Sequence, residues 1–297
     1  MTKIIAEIGW NHMGDMTLAR EMIAAAAENG ADYAKFQTWS VNRLKAGEWD
    51  VDGRREIYEK AELSLDQHKE LQQYCNEKKI EFISSVFSLD DLNLYKKVTN
   101  KTIKIPSFES RNKNLIKSLF SKSGKAYFDN IIVSVGTCSY YEIKNLIKSF
   151  QGLLTNNEGE EANANLNILH CVSCYPCDPL KSNLERINLI SNLNSKEIPF
   201  KIGYSDHCIG NEIAILSLGH NINILEKHFT IDHSLPGRDN KFAILPNELK
   251  KIKDTIILID KIKKNFNYHY DDSEIDSRSK YPSRFSNEYK QTVQRGL

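Results

Sequence analysis

The sequence predicts an α/β protein built as a (β/α)8 TIM barrel, and three observations carry that prediction. Short apolar runs alternate with amphipathic stretches from the first residues onward, as parallel strands covered by helices do. Eight such pairs occupy about 265 residues, the count and length of a closed barrel rather than an open sheet. Polar and charged residues gather at the C-terminal ends of the apolar runs, where barrels of this class hold their chemistry.

The first strand is read over Lys3–Gly9 (KIIAEIG), followed by a helix over Met16–Asn29 that Gly30 stops. Ala31–Gln37 is the second strand. After a long polar loop, a helix over Leu65–Lys78 takes Ser64 as its N-cap. Ile80–Phe87 is the third strand, with its helix over Leu89–Lys97. Thr102–Ser107 is the fourth, with a helix around Lys113–Ser121, and Asn130–Val135 the fifth, with Tyr140–Leu153. Asn167–Ser173 is the sixth, with a helix around Leu184–Leu193. Lys201–Asp206 and Asn223–Phe229 are the seventh and eighth, joined by a helix over Asn211–Leu218, and Asn247–Lys264 closes the series. The barrel is expected over 1–265. Residues 266–297 read as a polar C-terminal tail and Asn156–Asn165 as an exposed loop insertion.

Composition excludes several classes. With 40 basic and 39 acidic residues the net charge is +1, which points neither to nucleic acid nor to an anionic membrane. No apolar run approaches the roughly 20 residues of a membrane span, and the N-terminus has no signal-peptide pattern. The six cysteines do not form a small secreted scaffold, so a reduced cytoplasmic protein is expected.

Alternation along the strands sorts the polar residues, since positions two apart share a face. His207 and His228 end two adjacent strands, so their imidazoles could converge on a divalent metal; core histidines bonded to backbone are the other reading. Lys35 and Lys104 lie inside apolar strands, where a charge is costly unless paired. Two of them on different strands suggest a bound phosphate or carboxylate. A buried pair with Glu7 or Glu109 is the alternative. Gln37, Ser85, Ser107, Ser134, Ser173, Tyr175 and Ser205 complete the set at the strand ends. Cys171, Cys174 and Cys177 space as C-x2-C-x2-C, with Cys208 beside His207, which could read as an iron–sulfur or zinc site. Alternation would turn Cys171 inward and Cys174 outward, against that reading.

Six segments in order, AEIGWNHMG (6–14), GADYAKFQT (30–38), KIPSFES (104–110), LHCVSCYPCD (169–178), GYSDH (203–207) and LEKHFTID (225–232), resemble the sialic acid synthase family. The resemblance covers about residues 3–250. It implies a phosphoenolpyruvate-dependent condensation with an N-acetylmannosamine-type sugar, giving a nine-carbon ulosonic acid and phosphate. It implies a divalent metal, Mn2+ or Mg2+, on His207 and His228. Phosphoenolpyruvate would lie on Lys35, Lys104, Ser107, Ser134 and Ser205, and the sugar on Glu7, Gln37, Glu109, Tyr175 and Asp239. Ser85 and Ser173 are added as substrate contacts; Ser85 stands where the family usually has threonine. Glu7 and Glu109 are the carboxylates expected to activate water or stabilise a cation, with Lys35 and Lys104 as the catalytic cations. Family members work as homodimers and typically carry a C-terminal antifreeze-like domain that lends an arginine to the site. That domain is expected to be absent here, so the mouth would be covered by the 40–62 loop (Arg43, Arg54, Arg55), the tail (Arg284, Arg295) or another subunit; that all of these segments are solvated is the other reading. A metal-dependent pyruvate aldolase and a non-catalytic sugar-binding barrel are the other functional readings.

Overall fold

The structure is a computed structural model, and it describes residues 1–121, 124–154, 164–195, 199–266 and 269–281. The chain divides into two compact units, Met1–Ile256 and Ile257–Leu297. The first is the barrel. Its strands are β1 (Lys3–Gly9), β2 (Tyr33–Thr38), β3 (Glu81–Val86), β4 (Thr102–Ile105), β5 (Asn130–Ser134), β6 (Asn165–Cys171), β7 (Lys201–Asp206) and β8 (Ile224–His228). All pair in parallel, and β8 returns to β1 to close the ring. The TIM-barrel expectation is therefore borne out.

The helices among the described residues are α1 (Met16–Glu28), α2 (Arg54–Ala61), α3 (Leu65–Glu77), α4 (Leu89–Tyr95), α5 (Lys113–Lys117), α6 (Tyr140–Leu154), α7 (Glu185–Ser191), α8 (Glu212–Ser217), α9 (Pro246–Lys264) and α10 (Ile275–Lys280). Ser64 caps α3 as expected: its hydroxyl accepts from the Gln67 amide while the Gln67 side chain accepts from the Ser64 amide. The second unit holds the end of α9 and α10. The expected insertion falls largely on residues 155–163 and the arginines Arg284 and Arg295 on 282–297, both outside the described residues.

Three departures from the sequence reading bear on the site. Pro106 ends β4 at Ile105, because it has no N–H to give the ladder, so Ser107 and Glu109 sit on a 3-10 turn, not a strand. β6 stops at Cys171, so the alternation argument does not reach Ser173 and Tyr175. The long polar loop contains α2, whose Tyr58 gathers the chain's three tryptophans, Trp10, Trp39 and Trp49, at centroid distances of 5.5, 5.7 and 5.9 Å. Gly14, at φ +82°, lets the β1–α1 turn seat against α2; a Cβ there would lie 1.8 Å from the Lys60 carbonyl oxygen.

Inside the ring, Ile5, Tyr33, Ile83, Ile132, Leu169 and Ile224 form an apolar plug. The next inward position along each strand carries Glu7, Lys35, Ser85, Lys104, Ser134, Cys171, Ser205 and Glu226. Two residues separate an oil-like layer from a polar one, as the pleat requires.

Two buried histidines outside this layer, His12 and His170, are expected to make the barrel acid-sensitive. Burial lowers His12 and His170 to about 4 from the ordinary 6.5. An imidazole depressed in the fold binds its proton more readily when unfolded. Stability is therefore intact above pH 6.5 and falls between 6.5 and 4, by about 3 kcal/mol per histidine. The melting temperature is expected to drop by about 10 °C from pH 7 to 4.5, and His170→Gln should lessen that slope. A flat profile in differential scanning fluorimetry would contradict this.

Candidate active site

The polar layer is a charge-balanced floor. Lys35 Nζ lies 2.7 Å from Glu7 Oε2 and 3.7 Å from Glu226 Oε2, and donates to Ser85 Oγ at 3.0 Å. Lys104 Nζ donates to both Glu226 oxygens at 2.9 Å, and Ser205 Oγ donates to Glu226 Oε1 at 2.7 Å. Gln37 Nε2 donates to Glu7 Oε1 at 3.0 Å. A β-bulge at Glu7–Gly9 makes room for this last pair: Gly9 has φ +57°, and a Cβ there would lie 3.2 Å from Glu7 Oε1. The lysines are thus paired with glutamates, but Lys104 takes Glu226 and not Glu109.

Burial sets the protonation pattern. It pushes the Glu7 carboxyl up, opposed by Lys35. It also acts on Glu226, but Lys104 and Lys35 more than offset it and hold that carboxyl well below the usual range. Burial lowers the Lys104 ammonium; for Lys35 the charges of Glu226 and Glu7 win and raise it.

Above the floor, the His207 and His228 rings lie 5.6 Å apart between centroids, with Tyr175 4.2 Å from His207. His207 Nδ1 is within 2.6 Å of the Val172 carbonyl, which leaves Nε2 for the cavity, 3.3 Å from Ser205 Oγ. His228 Nδ1 is buried without a hydrogen-bond partner, and its nearest carboxylate oxygen is Asp239 Oδ2 at 3.6 Å. Burial lowers His207 to about 4 and His228 well below its ordinary value, so both are neutral near pH 7. Burial raises Asp239 to about 6. Two neutral imidazoles, one held by a backbone carbonyl and one with an orphaned nitrogen, are donors of the kind a divalent ion takes, while among the described residues no group of three or more His, Cys, Asp or Glu is gathered to hold one.

Twelve of the expected residues line one cavity of about 420 Å³: Glu7, Lys35, Gln37, Ser85, Lys104, Ser107, Ser134, Tyr175, Ser205, His207, His228 and Asp239. Two do not. Glu109 leaves the barrel axis on its 3-10 turn and accepts from Asn112 Nδ2 at 2.9 Å. Ser173 lies past the end of β6, packed behind Gly136; a Cβ on that glycine would lie 2.8 Å from Ser173 Oγ. The structure puts Glu226 in the cavity lining; the sequence reading sets it two before His228 on the inner face but gives it no role in the site. It also did not place Trp10, Tyr58 or Arg238 there. Arg54, one of its candidates for the mouth, does line the cavity from α2. The thiols of the cysteine motif diverge: Cys171 Sγ lies 3.0 Å from Ser107 Oγ inside the barrel, while Cys174 is exposed.

A floor of paired lysines and glutamates beneath two neutral histidines, at the C-terminal mouth of a closed (β/α)8 barrel, defines a barrel enzyme for small, polar, anionic substrates. The chain belongs to the NeuB family, whose model matches residues 22–268. It is 32% identical over 264 residues to the N,N'-diacetyllegionaminic acid synthase of Legionella pneumophila, covering 85% of this chain and 70% of that protein. It is 32% identical over 266 residues to the pseudaminic acid synthase of Helicobacter pylori, covering 86% and 73%. The structure of N-acetylneuraminic acid (sialic acid) synthetase from Leptospira borgpetersenii, in complex with citrate, superposes with a TM-score of 0.77 at 31% identity, over 94% of this chain and 92% of that one. The family read from the six motifs is borne out.

Proposed function

We propose that this barrel condenses phosphoenolpyruvate with an N-acetylated hexosamine, giving a nine-carbon ulosonic acid and inorganic phosphate. The observation that carries the reading is the floor. Two buried ammonium groups face one cavity with the hydroxyls of Ser85, Ser107, Ser134 and Ser205, and Ser134 Oγ is buried without a partner. An orphaned hydroxyl on β5, the strand beside that of Lys104, is where a phosphate or carboxylate oxygen completes the hydrogen bonding.

Lys35, Lys104 and the serines hold phosphoenolpyruvate with its C3 toward the acceptor. Gln37, Tyr175 and Asp239 orient the open-chain sugar so that its aldehyde carbon meets C3, which makes positioning a large share of the catalysis. His207 and His228 would hold a divalent ion, manganese or magnesium, which when bound acts as a Lewis acid on the aldehyde. The C–C bond forms and positive charge develops at C2. Glu226, held ionised by two lysines, faces that charge. Glu7, with its raised carboxyl, is the group placed to take a proton from the water that adds at C2. Phosphate then leaves by C–O cleavage, so one water is consumed per turnover.

This reading includes a homodimer working in the cytoplasm, and a barrel over 1–265 followed by a tail. Among the described residues, no helix is long and apolar enough to cross a membrane. Light scattering coupled to size exclusion tests the dimer. The reaction is tested by phosphate release with phosphoenolpyruvate, Mn2+ and a panel of N-acetylmannosamine, its 6-phosphate and 6-deoxy diacetamido hexoses. At least one sugar is expected to release phosphate at rates far above the sugar-free control. Condensation with pyruvate in place of phosphoenolpyruvate would refute the reading in favour of an aldolase.

A further inference from the structure

Asp206 and Lys227 face away from the cavity. They are register partners on β7 and β8, and each immediately precedes one of the two histidines. Alternation therefore turns them outward while Ser205, His207, Glu226 and His228 turn in. Their side chains are 0% and 1% exposed, and Lys227 Nζ lies 2.7 Å from Asp206 Oδ2. A buried ion pair is weak support for stability, since apolar residues of similar volume often do as well. What an apolar pair lacks is the second set of bonds seen here. Asp206 Oδ1 accepts from the Cys208 amide at 3.0 Å, across His207, and from Tyr204 Oη at 3.4 Å. Lys227 Nζ also donates to the Cys208 carbonyl. Both polar groups of the residue after His207 are thus gripped from outside the barrel. The His207 carbonyl accepts from the Cys177 amide at 2.9 Å, and its ring is held by Val172. The backbone flanking His207 is fixed to β8 through Lys227, the residue next to His228.

We infer that Asp206 and Lys227 are positioning residues that set His207 against His228 for a divalent cation, from the face of the barrel opposite the substrates. The inference rests on the reading that the two histidines hold that ion. Groups that orient metal ligands typically govern affinity by about 10- to 100-fold, and here the oriented element is the ligand's own backbone.

The test is Mn2+ titration of the full chain without substrates, alongside its thermal unfolding. The pair Asp206→Leu/Lys227→Met removes both charges together and with them both bonds to Cys208. It is expected to stay folded, with a melting temperature lowered by several degrees for the two orphaned Cys208 groups, while Mn2+ affinity measured well below that temperature falls by about 10- to 100-fold. Asp206→Asn keeps an oxygen for the Cys208 amide and leaves Lys227 on the Cys208 carbonyl; the unpaired buried ammonium lowers its melting temperature, but its Mn2+ affinity, read well below that temperature, should stay close to wild type. Wild-type affinity in the apolar pair overturns the inference. Equal losses in both variants also overturn it, because charge and not backbone geometry would then be at work. An apolar pair that does not fold overturns it too, making the two residues a fold element. His228→Ala is the control on the underlying reading: if it binds Mn2+ as wild type does, the metal site itself is misassigned.

Discussion

Lys104→Met is expected to weaken phosphoenolpyruvate binding by about 100-fold, the loss of roughly 3 kcal/mol for a buried charge-assisted contact. Lys104 sits on β4 with a side chain 3% exposed and gives two of its three ammonium hydrogens to Glu226. Methionine keeps the apolar stem as far as Cε and removes the ammonium, with its charge and its hydrogen bonds to Glu226. The loss should fall on phosphoenolpyruvate rather than on the sugar, because Gln37, Tyr175 and Asp239 are untouched. Removing one partner of a buried pair also leaves the other uncompensated, at a cost of about 3–5 kcal/mol. Glu226 retains Ser205 at 2.7 Å and Lys35 at 3.7 Å, so part of that cost is met. Lys104→Met/Glu226→Gln separates the two effects: it should recover the melting temperature but not the affinity. Calorimetry with unchanged phosphoenolpyruvate affinity in Lys104→Met would reject the assignment of this lysine.

Why Lys104 could be singled out beforehand, and its partner could not, shows what the chain discloses. A lysine inside TIKI is anomalous by itself, since one residue type and its neighbours suffice to mark a buried charge. Its counter-ion is a matter of barrel closure. Glu226 lies 122 positions away and meets Lys104 across the ring, on a strand that is not its hydrogen-bonded neighbour. Glu109 is nearer in sequence, but Pro106 ends the strand and turns that carboxylate away. The same cause moved Ser173 out, for β6 stops two residues short of it. Alternation holds only within a strand, and Glu109 and Ser173 lie past the ends of theirs. Helix α2 was missed for another reason. Its stretch is mostly charged, and the aromatic contacts that hold it, Tyr58 against Trp10, Trp39 and Trp49, come from separate segments. The strand and helix series, by contrast, rests on local periodicity, and its order survived intact.

His228→Ala is expected to reduce turnover by about 1,000-fold or more, the scale of several kcal/mol of Lewis-acid stabilisation, while leaving the barrel folded. Retention of the fold follows from how little the ring is bonded. Its Nδ1 has no hydrogen-bond partner, and its contacts are ring edges: His207 at 5.6 Å, Tyr175 at 5.8 Å and Phe242 at 5.1 Å. The backbone is held independently, with the His228 carbonyl accepting from the Ile244 amide at 2.8 Å and Phe229 N–H donating to Glu7 at 2.8 Å. Truncation therefore costs packing, about 1–3 kcal/mol, and no ladder bond. Phosphoenolpyruvate affinity measured without metal should be nearly unchanged, since the lysine floor lies one layer below. Chelation of the wild-type protein should reproduce the loss of turnover, and added Mn2+ should restore it in wild type but not in His228→Ala. Full activity of the variant, or activity that survives exhaustive chelation, would remove the histidine pair from the chemistry and return it to the role of a packed core.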